Sequence, residues 1–274
     1  MSESKTLGAT GSRLIVAFSR RDPATFDFGA ARELLGASDQ VTSNLLSRLV
    51  KQGWIIRVRR GVYQVAPIWA EPGTYQADRF AALVHSLTAP YYIGYRSALE
   101  LYGWLQHPVV GSVWIAVTTR RRALRTPRDR VIWVVTKADR FEWGLRSHWI
   151  GPAVVTVSDA ERTVLDCLHL PRHAGGIAEL AGALVRAWPT LDRQRLRSHL
   201  DRMAIASVTR RLGALIEALT LPNSEDVLRT LPSGGWRGRP VSLDPSLPAW
   251  GEVDHRWGVR MNVSADELVM VGRT

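Results

Sequence analysis

The sequence predicts an α/β chain of the α+β kind, with helices and strands arranged in successive blocks and more than one domain. Three observations carry that expectation. The chain has 274 residues, 46% of them hydrophobic, enough for more than one core. The first 66 residues read as three helices and a short hairpin, whereas strand-sized apolar runs and amphipathic helices follow further on. A Pro/Gly-rich stretch from Pro232 to Pro240 then sets off a C-terminal segment. The expected domains are residues 1–70, a mixed α/β domain over 71–231 with a helical C-terminal part, and an extension over 232–274 to which the sequence gives no role.

Helix one is expected over Ser12–Arg21, with Leu14, Ile15 and Phe18 on one face and Asp22-Pro23 as its stop. Gly8 to Ser12 lacks the lysine of a phosphate-binding loop and reads as a flexible leader. Helix two, Ala30–Leu35, ends at Gly36, which tolerates the left-handed conformation of a helix end. Ser38 reads as the N-cap of helix three, because its hydroxyl can accept from the free amides of the first turn. Only Gly36 and Ala37 separate helix two from that cap, which is the spacing of a helix-turn-helix.

A helical wheel started at Val41 places Leu45, Leu46, Leu49 and Val50 in one half-circle with it. Gln40, Asn44, Ser47 and Lys51 cluster opposite, with Ser43 and Arg48 at the edges, and no carboxylate follows Asp39 on that face. Gly53 ends the helix, Trp54 to Arg59 follows as a strand, Arg60-Gly61 turns, and Val62 to Val65 returns. Arg57 and Arg59 are expected to point the same way, with Arg60 at the tip. A basic hairpin directly after such a helix is a wing, so the segment from about Ser12 to Ala66 reads as a winged helix-turn-helix that binds double-stranded DNA. The candidate contacts are Gln40, Ser43, Asn44, Ser47, Arg48 and Lys51 on the helix, and Arg57, Arg59 and Arg60 on the wing. The amides suit base edges, and the wing arginines suit phosphates.

Further along, helices are expected at Tyr75–Ser86 and Tyr95–Tyr102, then strands at Ser112–Thr118, Arg130–Thr136 and Val154–Val157. Four helices follow, at Ser158–His169, Gly176–Trp188, Asp192–Arg202 and Ala206–Thr220, the first capped by Ser158 with Glu161 completing a capping box. Short strands are expected around Gly251–Arg260 and Glu267–Val271.

Met1 to Arg13 lacks the apolar core of a signal peptide, and no apolar run reaches bilayer length. A single cysteine, Cys167, supplies no internal disulfide, so a cytoplasmic protein with no membrane partner is expected. The formal charge is +11, but 33 of the 36 basic residues are arginine, a bias that base composition alone can produce. Position says more. Residues 1–70 hold 10 basic and 5 acidic side chains and residues 71–157 hold 11 and 6, whereas residues 158–231 hold 10 and 9 and the rest is balanced. The excess therefore lies in the first 157 residues, as an anion-binding end would place it.

Candidate chemistry is thin. Cys167, His169 and His173 are interrupted by Pro171 and lack a second cysteine, and Cys167 falls on an apolar helix face as a small core residue would. Glu252-Val-Asp254-His255 lacks the lysine that a nuclease motif would add. No acid, base and nucleophile converge, so neither an enzyme nor a metal or cofactor site is expected.

Three stretches together carry a resemblance: the wing Arg59-Arg60-Gly61-Val62-Tyr63, the segment from Tyr91 to Gly103, and the segment from Val155 to Asp166. Their order and spacing over residues 12–220 resemble the AbiEi family, the antitoxins of type IV toxin–antitoxin systems linked to phage defence. The resemblance implies a repressor of its own operon that binds inverted repeats, self-associating on DNA, and a second domain that helps neutralise a cognate nucleotidyltransferase toxin. It carries no catalytic residues. Glu161, Arg162 and Asp166 are read as hydrogen-bonders that fix the fold. A winged-helix regulator whose second domain senses a small ligand is the alternative, and an enzymatic or nuclease fusion is a third. A second basic surface, Arg120, Arg121, Arg122, Arg125, Arg128 and Arg130, joins two strands; it suits a solvated loop, a further DNA contact or a dock for an acidic partner face.

Overall fold

The computed structural model describes residues 7–20, 24–66, 87, 90–125, 129–150, 153–234, 236, 238–264 and 266–268, with the side chains of Arg59 and Ala153 left aside. The helix expected at Tyr75–Ser86, the stop at Asp22-Pro23, and Arg128 lie outside them. The described chain is mixed α/β, with N-terminal helices and a small sheet, then a larger sheet and a helical block. It divides into two compact units. The first takes residues 1–91 with 122–131 and 147–155, and the second takes the remainder.

In the first unit, α1 (Gly8–Ser19), β1 (Thr25–Asp27), α2 (Phe28–Leu35), α3 (Asp39–Lys51), β2 (Ile55–Arg59) and β3 (Val62–Val65) follow in order. The small sheet is antiparallel in the order β1-β3-β2. Its core joins Leu14, Ile15 and Phe18 of α1 to Leu45, Leu46 and Leu49 of α3, and Phe18 stacks on Phe26 with ring centroids 4.2 Å apart. The expected flexible leader is instead the first turn of α1. Gly11 is buried there, and a Cβ on it would sit 3.3 Å from Leu49, so the small residue lets the helix close on α3.

The larger sheet has five strands in the order β6-β5-β4-β8-β7: β4 (Tyr92–Ile93), β5 (Ser112–Val117), β6 (Arg130–Val135), β7 (Leu145–Ile150) and β8 (Ala153–Ser158). β4 pairs antiparallel with β5 and parallel with β8. The helices of the second unit are α4 (Tyr95–Leu101), α5 (Ala160–His169), α6 (Ile177–Ala187), α7 (Arg193–Met203), α8 (Ala206–Ala218) and α9 (Glu225–Thr230). At their centre is α5, buried from Glu161 to Leu168 and packed against α4, α6, α7 and α8. Its cap is Asp159, whose Oδ1 accepts from the Arg162 amide at 2.8 Å, and not Ser158 as expected. The Ser158 hydroxyl is occupied with that of Thr163, 2.7 Å away. Glu161 closes no capping box either, because its carboxylate accepts from the Asp192 amide at 2.7 Å and so ties α5 to the start of α7.

The C-terminal segment is built into this second unit through β9 (Val241–Ser242), β10 (Val253–Asp254) and β11 (Val259–Arg260), in the order β10-β11-β9. Trp257 is fully buried and donates from Nε1 to Glu217 at 2.7 Å. It lies flat on Gly213 of α8, where any Cβ would run into the ring. Gly176 cannot cap α6 with a side chain, and Asp244 does so from a distance, accepting from the Ile177 amide at 2.9 Å. The strand expected at Glu267–Val271 is corrected over its described part, since Glu267 and Leu268 lie in a helical turn. Ser264 and Glu267 exchange side-chain-to-amide hydrogen bonds of 3.2 Å each, a capping box that nucleates the turn.

Candidate nucleic-acid interface

The placement of α3 is set by the turn that joins it to α2. Asp27 caps α2 by accepting from the Ala30 amide at 2.7 Å, and Gly36 ends it at φ 60°. Ser38 then caps α3 by accepting from the Val41 amide at 3.4 Å, so the two-residue turn forms as expected. With Thr42, Leu45, Leu46 and Leu49 buried, the helix presents Gln40, Ser43, Asn44, Ser47, Arg48 and Lys51 to solvent. The structure brings these six onto one exposed face. Val41 was expected on the apolar half, but it is 55% exposed, and Thr42 is wholly buried in its place. Leu45, Leu46 and Leu49 are buried where the wheel placed them, so the apolar arc is not turned; Val41 lies at its edge, and Thr42 falls at its middle between Leu46 and Leu49.

On this face Gln40 Nε2 donates to Asn44 Oδ1 at 3.1 Å. Asp39, at the start of the helix, is paired with Arg32 at 3.0 Å. The wing forms as expected, with Arg57 and Arg60 exposed and Gly61 turning at φ 78°. A register shift between Arg57 and Arg59 breaks the two-residue alternation that the expectation about those side chains used. The Gly61 carbonyl accepts from the Phe28 amide at 2.8 Å, which fixes the wing to the start of α2.

Of the second basic surface, Arg120, Arg121, Arg122, Arg125 and Arg130 are exposed. An isolated Arg125–Arg130 bridge and a 2.8 Å hydrogen bond from the Val131 amide to the Leu124 carbonyl pair the described residues on its two sides. The part from Arg122 to Val131 groups with the first unit.

The residues that invited a chemical reading are engaged in packing. Arg162 is wholly buried; its Nε meets Asp166 at 2.7 Å, its Nη atoms meet the carbonyls of Arg140 and Trp143 at 2.6 and 3.3 Å, and its guanidinium lies 3.9 Å over the Trp143 ring. Tyr92 donates to the other Asp166 oxygen at 2.9 Å. Burial pushes the Cys167 thiol up, and burial also lowers His169 and His173 to about 4, helped by neighbouring arginines. Asp254 accepts from the amides of Arg256 and Trp257 and so shapes a turn. Among the described residues no three His, Cys, Asp or Glu side chains come together as metal ligands, and no helix is long and apolar enough to cross a membrane.

Comparison with known proteins bears on the first unit. Residues 13–66 match a family described as "Transcriptional regulator, AbiEi antitoxin". The AbiEi match thus ends with the wing and spans α1 to β3, the elements that present the exposed face. Over the whole chain, the fold is similar to that of the RV2827C protein from Mycobacterium tuberculosis, with a TM-score of 0.69 at 15% identity, covering 97% of this chain and 95% of that one. No curated protein matches.

Proposed function

We propose that the chain is a DNA-binding antitoxin and transcriptional autorepressor of a type IV toxin–antitoxin operon, acting in the cytoplasm against a nucleotidyltransferase toxin and contributing to phage defence. The single observation behind this reading is the AbiEi match over the segment whose helix α3 exposes amides, hydroxyls and bases. Gln40, Ser43, Asn44, Ser47, Arg48 and Lys51 enter the major groove, and Arg57, Arg59 and Arg60 hold the backbone of an operator made of inverted repeats, on which two copies self-associate. The second unit is the antitoxin body, and it is not an enzyme: the charged residues of α5 are spent on internal hydrogen bonds. The segment with Arg120, Arg121, Arg122, Arg125, Arg128 and Arg130 supplies a further anion-binding surface for DNA or for the toxin.

The test is co-expression with the product of the neighbouring gene, expected to be the nucleotidyltransferase, in growing cells. Restored growth supports the antitoxin role, and growth that stays arrested removes it while leaving a winged-helix regulator. That second reading, a regulator that senses a small ligand, is favoured by one feature. A cleft of about 260 Å³ opens between α7, α8 and α9, floored by Leu196, Leu200, Leu212 and Val227. A ligand found there that changes operator affinity would establish it.

A further inference from the structure

Two features of the exposed α3 face go beyond a general affinity for DNA, and their interpretation rests on the DNA-binding function proposed above. The first is the hydrogen bond between Gln40 and Asn44, one helical turn apart. It consumes one amide hydrogen-bonding site on each side chain. It leaves on Gln40 the carbonyl oxygen and one N–H, and on Asn44 the amino group, so the pair can offer one acceptor beside one donor. Among the four bases taken singly, adenine alone presents the complement in the major groove, with its N6 amino group as donor and N7 as acceptor. Guanine presents two acceptors there, and its O6 would face the Gln40 oxygen.

The second is Val41. It is 55% exposed in the first turn of α3, between Gln40 and Asn44 in the helical sequence and one turn before Leu45. An exposed β-branched residue gains nothing from burial and lowers helix propensity. In return it offers two methyl groups on a nearly fixed rotamer. Next to an adenine-reading pair, the apolar group within the major groove is the 5-methyl of thymine.

We propose that Gln40 and Asn44 jointly read one adenine and that Val41 packs against a thymine methyl at the same or the adjacent step, so each operator half-site carries an A·T pair under the start of α3. The test uses the full-length chain and duplexes enriched from a random-sequence library in the presence of competitor DNA. The best duplex is then resynthesised with each thymine replaced singly by uracil, which removes only the methyl group. One or two positions per half-site should weaken the wild type roughly fourfold, the worth of one methyl group taken from water. Val41→Ala should bind the parent duplex about that much more weakly and be indifferent to uracil at those positions. Uracil duplexes that bind as tightly as the parent, or a V41A chain as sensitive as the wild type, would overturn the assignment of Val41. Enrichment of half-sites with guanine or cytosine under α3 would overturn the adenine assignment. Failure to enrich any sequence is a different result, since it removes the DNA-reading function and this inference with it.

Discussion

Replacing Arg162 by alanine should cost the second unit about 3–5 kcal/mol of stability, and the structure shows why. The guanidinium is wholly buried, held by Asp166 at 2.7 Å and by the Arg140 carbonyl at 2.6 Å. Removing it strands the Asp166 carboxylate in the core with the Tyr92 hydroxyl, 2.9 Å away, as its remaining side-chain donor. It also leaves the carbonyls of Arg140 and Trp143 without this donor and takes the cation from the Trp143 face. A loss of that size is a large part of the roughly 5–15 kcal/mol that holds a typical domain folded. The paired variant Arg162→Met with Asp166→Leu removes both charges and fills the volume, so it should recover the part of the loss that comes from the stranded carboxylate, while the Arg140 and Trp143 carbonyls stay without this donor. Urea unfolding of the full chain followed by tryptophan fluorescence reads the stabilities, and anisotropy on an enriched duplex reads DNA binding. Both variants should keep the wild-type Kd for the folded fraction. A loss below about 1 kcal/mol for R162A would refute the reasoning about the buried pair. Wild-type stability with loss of toxin rescue would instead give the motif a direct role in partner binding.

Triple replacement of Arg57, Arg59 and Arg60 by alanine should weaken all duplexes alike and lower the slope of log Kd against log salt by roughly 1 for each arginine that meets a phosphate; an unchanged slope would take the wing out of the interface. Trp257→Ala should destabilise by about 3–5 kcal/mol, because the ring fills the space over Gly213. Gly213→Ala should also destabilise, and the two effects should fall short of adding, as melting of the double variant would show. His169 and His173 are held neutral, with pKa values lowered from 6.5 to about 4, chiefly by burial. The unfolded chain therefore takes up more protons between those values, and stability should drop as pH falls from about 6.5 towards 4. His169→Gln and His173→Gln should flatten that part of the profile, and an unaltered profile would show that other groups set it.

Much of the fold was legible because local rules and tertiary packing agree in it. The two-residue turn between α2 and α3, the Gly36 end and the Ser38 cap were all readable, since each is fixed by residues within one turn of it. Two of the elements that the sequence did not announce are fixed from afar. β4 is two residues long, and β7 reads Leu-Arg-Ser-His-Trp-Ile, with too little alternation to stand out. The role of the C-terminal segment was illegible for the same reason: Trp257 and Asp244 act on Gly213 and Ile177, far off in the chain. Ser158 and Asp159 show a local ambiguity, with two adjacent residues able to cap and the choice made by Thr163, which takes the serine hydroxyl. Ser264 and Glu267, by contrast, carry a capping-box spacing that was open to reading and argues against a strand there.

At the candidate site, the polar residues of α3 were legible and the exposure of Val41 was not. A wheel drawn from apolar residues counts Val41 as core and passes over Thr42, although it places the threonine between Leu46 and Leu49. Position on the helix accounts for both, with Thr42 buried at the middle of the apolar arc and Val41, at its edge, 55% exposed. An apolar side chain on an otherwise polar outer face is a signal only when that face has a task, since scattered exposed apolar residues are common on any surface. Here the face also carries a fixed Gln40–Asn44 pair, and Asp39, at the start of the helix, is paired with Arg32. Hydrophobicity therefore fails at the position where the interface departs from an ordinary amphipathic helix, as expected where function competes with folding.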